Sequence, residues 1–161
     1  MDSKLLEIKA GLTLFFTVVG TFLGWKGILA LIWFCVMCLD YLTGSMAAKK
    51  NGEWDSSVAR AGLWHKGGMI AVILVATITD AVLTIVALQM PVLNIAWPGL
   101  LLPLVLVWYI ITELGSILEN SIKMGAVVPE WLARGLKITA EALDKAGNDA
   151  VDNMPEGHQE E

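Results

Sequence analysis

The chain is short of what soluble domains carry in quantity. Only 17% of its 161 residues are charged, against a usual ~25%, and the apolar fraction is 56%. Between Met69 and Thr112 Asp80 is the single charge, a stretch too long and too apolar for a helix packed in water. Cysteine is scarce. Cys35 and Cys38 have Cys-x-x-Cys spacing but lie inside the apolar run 29–39, with no second ligand pair and no βαβ context. They read as small apolar side chains and not as a zinc or redox site. The two histidines, His65 and His158, stand far apart, and no Walker A loop, dinucleotide-binding glycine fingerprint or His-Glu-x-x-His is present. No cofactor or metal is expected. The net charge of -5 is concentrated toward the C-terminus and does not suggest nucleic acid.

What the chain does have is apolar runs of membrane-crossing length. An all-α integral membrane protein is expected, because only helices satisfy every backbone group within one segment in lipid. Residues 1–9 are polar, and 10–25 form a first apolar run ending in a turn at Gly24-Trp25-Lys26-Gly27. A second run, 28–48, is broken only by Asp40. A polar loop, 49–66, precedes a third run at 67–89, which contains Asp80. Pro91 and Pro98 then stop the helix, and a fourth run at 99–118 carries Glu113. Four spans within 10–123 are expected. The alternative is three spans with the first segment lying in the interface. A cleaved signal peptide is disfavoured by the poor cleavage site at Gly24-Trp25-Lys26.

Beyond the spans, 124–146 reads as an amphipathic cytoplasmic helix, started by Pro129-Glu130 and carrying Leu132, Leu136, Thr139 and Leu143 on one side. The tail 147–161 is polar and acidic and is expected to be disordered.

Several residues ask for an account. A carboxylate in mid-membrane costs about 2.5–3.5 kcal/mol on insertion scales, so Asp40, Asp80 and Glu113 need partners, protons or water. They mark a polar seam or lumen, or they bond helices to each other. Thr112, Glu113, Ser116, Glu119, Asn120 and Lys123 recur at intervals of three and four, giving the last span a polar stripe. Glu119 and Lys123 have the spacing of a helical ion pair. Gly20 and Gly24, and Gly44 and Ala48, have the small-x-x-x-small spacing of close helix contacts. Asp55 or Ser56 can cap a helix leading into the third run. Lys49, Lys50, Arg60 and Lys66 are placed to meet anionic headgroups.

One ordered set of segments resembles a known family. Leu39-Asp40-Tyr41-Leu42-Thr43-Gly44 is followed by Ala47-Ala48-Lys49, Gly52, Asp55-Ser56-Ser57, Arg60, Gly62, Lys66 and a span reaching Asp80. Later come Glu113-Leu-Gly-Ser116-Ile117-Leu118-Glu119-Asn120, Gly125 and Val128-Pro129. Together these resemble the phage-lysis and toxin-secretion holins. The resemblance implies a non-enzymatic protein that assembles with copies of itself in the bacterial cytoplasmic membrane. It implies a hole through which an endolysin, or a large toxin, leaves the cell. A small transporter and a membrane-anchor subunit are the other readings open to a chain of this composition.

Orientation follows from the basic residues. With four spans, Lys4, Lys9, Lys49, Lys50, Arg60, Lys66, Lys123, Arg134, Lys137 and Lys145 fall on one side and Lys26 alone on the other. Both termini are therefore expected in the cytoplasm. In a background lacking Cys35 and Cys38, an impermeant thiol reagent added outside should label a cysteine at Asn94 and spare one at Ser56. Labelling at Ser56 instead would overturn the orientation.

Overall fold

A computed structural model describes residues 2–93 and 97–152, with most side chains before Gly24 outside the described set. Four α-helices account for nearly all of it: α1 (Asp2–Lys50), α2 (Ser56–Gln89), α3 (Leu101–Lys123) and α4 (Glu130–Asp152). A 3₁₀ turn, Pro91–Leu93, follows α2. There is no strand among the described residues. Three helical segments are long and apolar enough to cross a membrane: Gly24–Lys50, Gly62–Gln89 and Leu101–Lys123. They correspond to the second, third and fourth apolar runs.

The expected turn near residue 24 is narrower than four residues. Gly24 alone leaves helical geometry, with φ 63° and ψ -174°, and helix continues on both sides. A side chain at that φ is strained, so glycine concentrates the whole break in one residue. The first apolar run thus lies in the helical segment before Gly24, and it is not one of the three spans found among the described residues.

The polar stretch 49–66 is mostly not a loop. Only residues 51–55 lie between helices, because α1 reaches Lys50 and α2 begins at Ser56. Asp55 is the cap: its Oδ1 accepts the Ser57 N–H at 2.8 Å, and helix then forms eleven residues ahead of the apolar run. Ser56, Ser57, Arg60 and Lys66 are therefore helical, not loop, residues. The two turns at this end share one design. Glu53 N–H donates to Ala48 O at 2.9 Å and Gly52 N–H to Lys49 O at 3.3 Å; Ala126 N–H donates to Ser121 O at 3.0 Å and Gly125 N–H to Ile122 O at 2.8 Å. Both are Schellman closures with a glycine at positive φ, 72° for Gly52 and 92° for Gly125. Lys50 Nζ bonds the Met124 carbonyl and ties the ends of α1 and α3 together.

The three spanning helices pack around α3, which contacts both α1 and α2, while α1 and α2 touch each other little. The apolar core is small. Trp33, Met37, Met69, Leu106 and Ile110 are its buried members, with Tyr109, Leu29 and Ile73 against them. Trp33 and Tyr109 rings lie 6.4 Å apart between centroids. Ile32, Phe34, Leu74, Val75, Ile78, Val82 and Ile85 point outward and exposed, as lipid-facing side chains do.

The amphipathic helix extends further than its sequence boundary. α4 runs to Asp152, so Gly147–Asp152 is helical where a disordered tail was expected. Alternating small and polar residues, Gly147, Ala150 and Asp149, continue the same periodicity and keep the small ones on the covered face. Residues 153–161 of that tail lie outside the described set. Thr139, placed by periodicity on the apolar side, is exposed, and Ala140 takes its place.

Asp55 provides a direct check on the α2 start. The Ser57 N–H holds its carboxylate below the usual range. Its support for the first turn is therefore full above the unfolded value, near pH 4, and is lost as pH falls through the lower folded value. Asp55→Ala should speed amide exchange at Ser57 at neutral pH. Exchange unchanged from wild type would mean the cap contributes nothing.

Candidate functional site

The buried acids do not share one site; they form two clusters at opposite ends of the core. Asp40, Glu113 and Lys66 make the first, near the 51–55 turn. Lys66 Nζ reaches Asp40 Oδ2 at 2.8 Å and pairs with both oxygens of Glu113. Each residue comes from a different helix, α1, α2 and α3. Asn120, about two helical turns beyond Glu113, donates from Nδ2 to Asp40 Oδ1 at 3.1 Å and lies 3.4 Å from Thr43 Oγ1. Side-chain exposure is 12% for Lys66, 12% for Asp40 and 3% for Glu113. Two carboxylates therefore share one ammonium in a nearly dry setting, leaving one excess negative charge when all three are ionised.

Gly44 lets this cluster form. A Cβ at that position would sit 3.3 Å from Asn120 Nδ2, so α1 and α3 approach where glycine leaves room. Ala47, not Ala48, is the buried small residue one turn on, at 2% exposure. Ala48 is half-buried. Gly24 has open space around it and forms the break in α1, while the surroundings of Gly20 lie outside the described residues.

A cleft of about 370 Å³ leads from the cluster to the turn, bounded by Asp40, Gly44, Lys66, Ser116 and Asn120 within and by Glu53, Trp54 and Asp55 at its mouth. The ion cluster is thus open toward the aqueous end of the bundle. Water in the cleft can solvate Lys66 and the acids in part, which reduces the cost of holding them in a spanning bundle.

Asp80 forms the second cluster with different chemistry. Its Oδ1 accepts Trp97 Nε1 at 3.0 Å and the Leu101 N–H at 3.1 Å; its Oδ2 accepts the Leu102 N–H at 3.0 Å. Lys26 Nζ stands 3.8 Å from Oδ2 and donates to Gly99 O at 2.7 Å. Asp80 thus caps the first turn of α3 from across the bundle, where the helix dipole also favours a negative charge. Trp97 is a hydrogen-bond donor in this cluster.

Spacing fixes how deep the clusters lie. Lys26 to Asp40, and Lys66 to Asp80, are each fourteen helical residues apart, or about 21 Å at 1.5 Å per residue. In a hydrocarbon core of ~30 Å, a centred bundle holds each cluster only about 5 Å inside the boundary. The charges clamp the two ends of the spanning helices and leave the middle apolar.

The polar stripe of the last span divides accordingly. Glu113 and Asn120 are buried in the first cluster and Ser116 lines its cleft, whereas Thr112, Glu119 and Lys123 are exposed. Among the described residues Glu119 and Lys123 are not joined in an ion pair. Of the cations expected to meet headgroups, Lys66 is inside the bundle and Lys50 is bonded to Met124, while Lys49 and Arg60 are exposed. Sequence reasoning missed the partnership of Lys66 with the acids, and of Lys26 with Asp80. The signal was the equal fourteen-residue spacing of charges along consecutive helices. No group of His, Cys, Asp and Glu with metal-site geometry occurs among the described residues.

Such an arrangement defines a small polytopic helical membrane protein whose spans are clamped by charge at both ends. The sequence profile of the bacteriophage holin family matches residues 17–141, and the chain belongs to that family. Among curated proteins it is similar to an uncharacterized protein of Clostridium perfringens strain 13, 36% identical over 62% of this chain and 65% of that one. An uncharacterized 14.9 kDa protein of Clostridium perfringens is 35% identical over 62% of this chain and 67% of its own length. An uncharacterized protein of Halalkalibacterium halodurans is 32% identical over 69% of this chain and 77% of that one. The chain thus spans about two thirds of the two clostridial relatives. No solved structure matches.

Removing Lys66 tests the clamp. Lys66→Met strands two buried carboxylates and should lower stability by about 3–5 kcal/mol, read as an earlier unfolding midpoint in lipid or detergent. Adding Asp40→Asn and Glu113→Gln to the same chain should recover most of it. Wild-type stability in Lys66→Met would mean the cluster holds nothing together.

Proposed function

We propose that this protein is a holin: it accumulates in the bacterial cytoplasmic membrane, assembles with copies of itself and opens a lesion through which an endolysin or a large toxin passes. One observation carries the reading beyond family membership. The spanning helices bury few apolar side chains in one another and present many to their surroundings. A protomer held mainly by two charge clusters keeps most of its apolar surface for lipid and for other copies, as assembly in a membrane requires.

The segment before Gly24 supplies a fourth crossing in this proposal. The ten-to-one basic asymmetry then sets both termini in the cytoplasm, with the 51–55 turn and the cleft facing inward. The protein makes and breaks no covalent bond. Its partners are itself, the surrounding lipid and the exported hydrolase or toxin, and it uses no cofactor and binds no nucleic acid. Opening requires the bundle to loosen, and the cluster around Lys66 is where three helices separate together. Water admitted there solvates Asp40, Lys66 and Glu113 individually and offsets the loss of their mutual contacts.

Inducible expression in bacteria tests the reading. Growth should continue normally and then stop abruptly at a reproducible time, with release of a co-expressed cytoplasmic hydrolase. Accumulation in the membrane to high level with neither arrest nor release would refute it.

A further inference from the structure

The outer side of α1 carries a second hollow, at the same end as the Lys66 cluster. Leu42, Ser45, Met46 and Lys49 recur at intervals of three and four and share one side of the helix. That side is turned nearly half a revolution from Asp40, Gly44 and Ala47, which face the bundle. Trp54, from the 51–55 turn, forms the other wall of a groove of about 450 Å³. Leu42, Met46 and Trp54 are all exposed. Lys49 is the single charge of the groove. Glu53 and Asp55, the acids of the turn, line the cleft of the ion cluster and not this groove. Lys26, Lys50 and Lys66 are engaged within the protein. Among the described residues the Lys49 ammonium meets no acceptor.

Depth decides what can fill the groove. Asp40 lies about 5 Å inside the hydrocarbon boundary, so Leu42, two residues nearer the turn, is about 2 Å inside it at 1.5 Å per residue. Lys49, nine residues beyond Asp40, has its backbone about 8 Å outside the boundary by the same rise. The headgroup layer on each face is about 5–7 Å thick, and a lysine stem can fold back along apolar surface to bring its ammonium into that layer. The groove thus starts in hydrocarbon at Leu42, crosses the headgroup layer at Ser45 and Met46, and ends at a cation. Trp54 stands in the layer that indole rings favour. A phospholipid has the same order along its length: acyl chain, glycerol, phosphate. A zwitterionic headgroup brings its own cation next to the phosphate, so an uncompensated ammonium favours a lipid of net negative charge.

We propose that this groove is a binding site for an anionic phospholipid, with its acyl chain on Leu42 and Met46, its glycerol beside Trp54 and its phosphate on Lys49 Nζ. Of the four cations expected to meet headgroups, Lys49 is the one with a built groove. Lys50 and Lys66 are spent on protein groups, and Arg60 does not line the groove. Ser45 and Trp54 also line the cleft that leads to Lys66. The lipid therefore lies against the wall of the route by which water reaches the ion cluster. The site rests on the spanning helices and not on what passes through the membrane.

Photocrosslinking tests the site. The full chain is reconstituted in phosphatidylcholine vesicles containing a minor share of phosphatidylglycerol with a diazirine on its headgroup, and adducts are mapped by mass spectrometry. Adducts should concentrate in residues 42–54. Unlabelled phosphatidylglycerol should displace them, whereas added phosphatidylcholine, or inorganic phosphate at matched ionic strength, should not. Lys49→Gln should cut the yield about fivefold, and Lys49→Arg should keep most of it. Trp54→Ala should lower it several-fold with no change of charge. Arg60→Gln, which removes the same charge outside the groove, should leave most of the yield. Full yield in Lys49→Gln, or an equal loss in Arg60→Gln, would overturn the proposal. So would displacement by phosphatidylcholine, and displacement by inorganic phosphate would assign the site to free anions instead of lipid.

Discussion

Everything in this bundle depends on how an ammonium and two carboxylates can be kept near the edge of a membrane. Lys66 solves the problem for Asp40 and Glu113 together, because a single cation on α2 touches one acid from α1 and one from α3. Removing Lys66 leaves both acids in a low-dielectric setting without compensation, whereas removing one acid leaves the other paired with Lys66. The geometry that follows is demanding. Gly44 must be small for Asn120 to reach Asp40, and α2 must be helical from Ser56 for Lys66 to point inward. A cleft must also let water meet the cluster from one end. The cap by Asp55 and the closures at Gly52 and Gly125 belong to the same end of the molecule and hold that geometry in register.

The other end is held by a different device. Asp80 receives two backbone N–H groups and an indole donor, so its charge is satisfied chiefly by hydrogen bonds with Lys26 at a longer distance. The two ends differ in their access to water. The Lys66 cluster has an excess charge and a route to solvent, whereas Asp80 is part of the start of α3.

Much of this was legible in the residues. Four apolar runs lead to an expectation of four spans, and the second, third and fourth runs are the three span-length helices among the described residues. Asp40, Asp80 and Glu113 stand out for their cost. What could not be read was which partner each acid has. Periodicity assigns a face to a residue within its own helix, but the pairing of Lys66 with acids 26 and 47 residues away depends on how three helices pack. Lys66 follows a polar stretch and so reads as a loop cation until the Asp55 cap extends the helix through it. The extension of α4 through Gly147 to Asp152 was hidden by composition: small and acidic residues read as a tail, although their spacing preserves an amphipathic helix. The family resemblance is read from the same ordered motifs, Asp40 to Gly44 and Glu113 to Asn120, that build the first cluster, and the family profile matches residues 17–141.

A charge exchange tests the central claim most directly. Lys66→Glu alone gathers three acids in one place, and Glu113→Lys alone places two ammonium groups beside Asp40. Each should abolish stable membrane accumulation and lysis on induction. The chain carrying both substitutions restores one cation between two acids, with Lys at 113 able to reach Asp40 and Glu at 66. It should recover accumulation and abrupt lysis in large part. A double variant as defective as either single one, or single variants that lyse with wild-type timing, would contradict the account of a bundle clamped by this cluster.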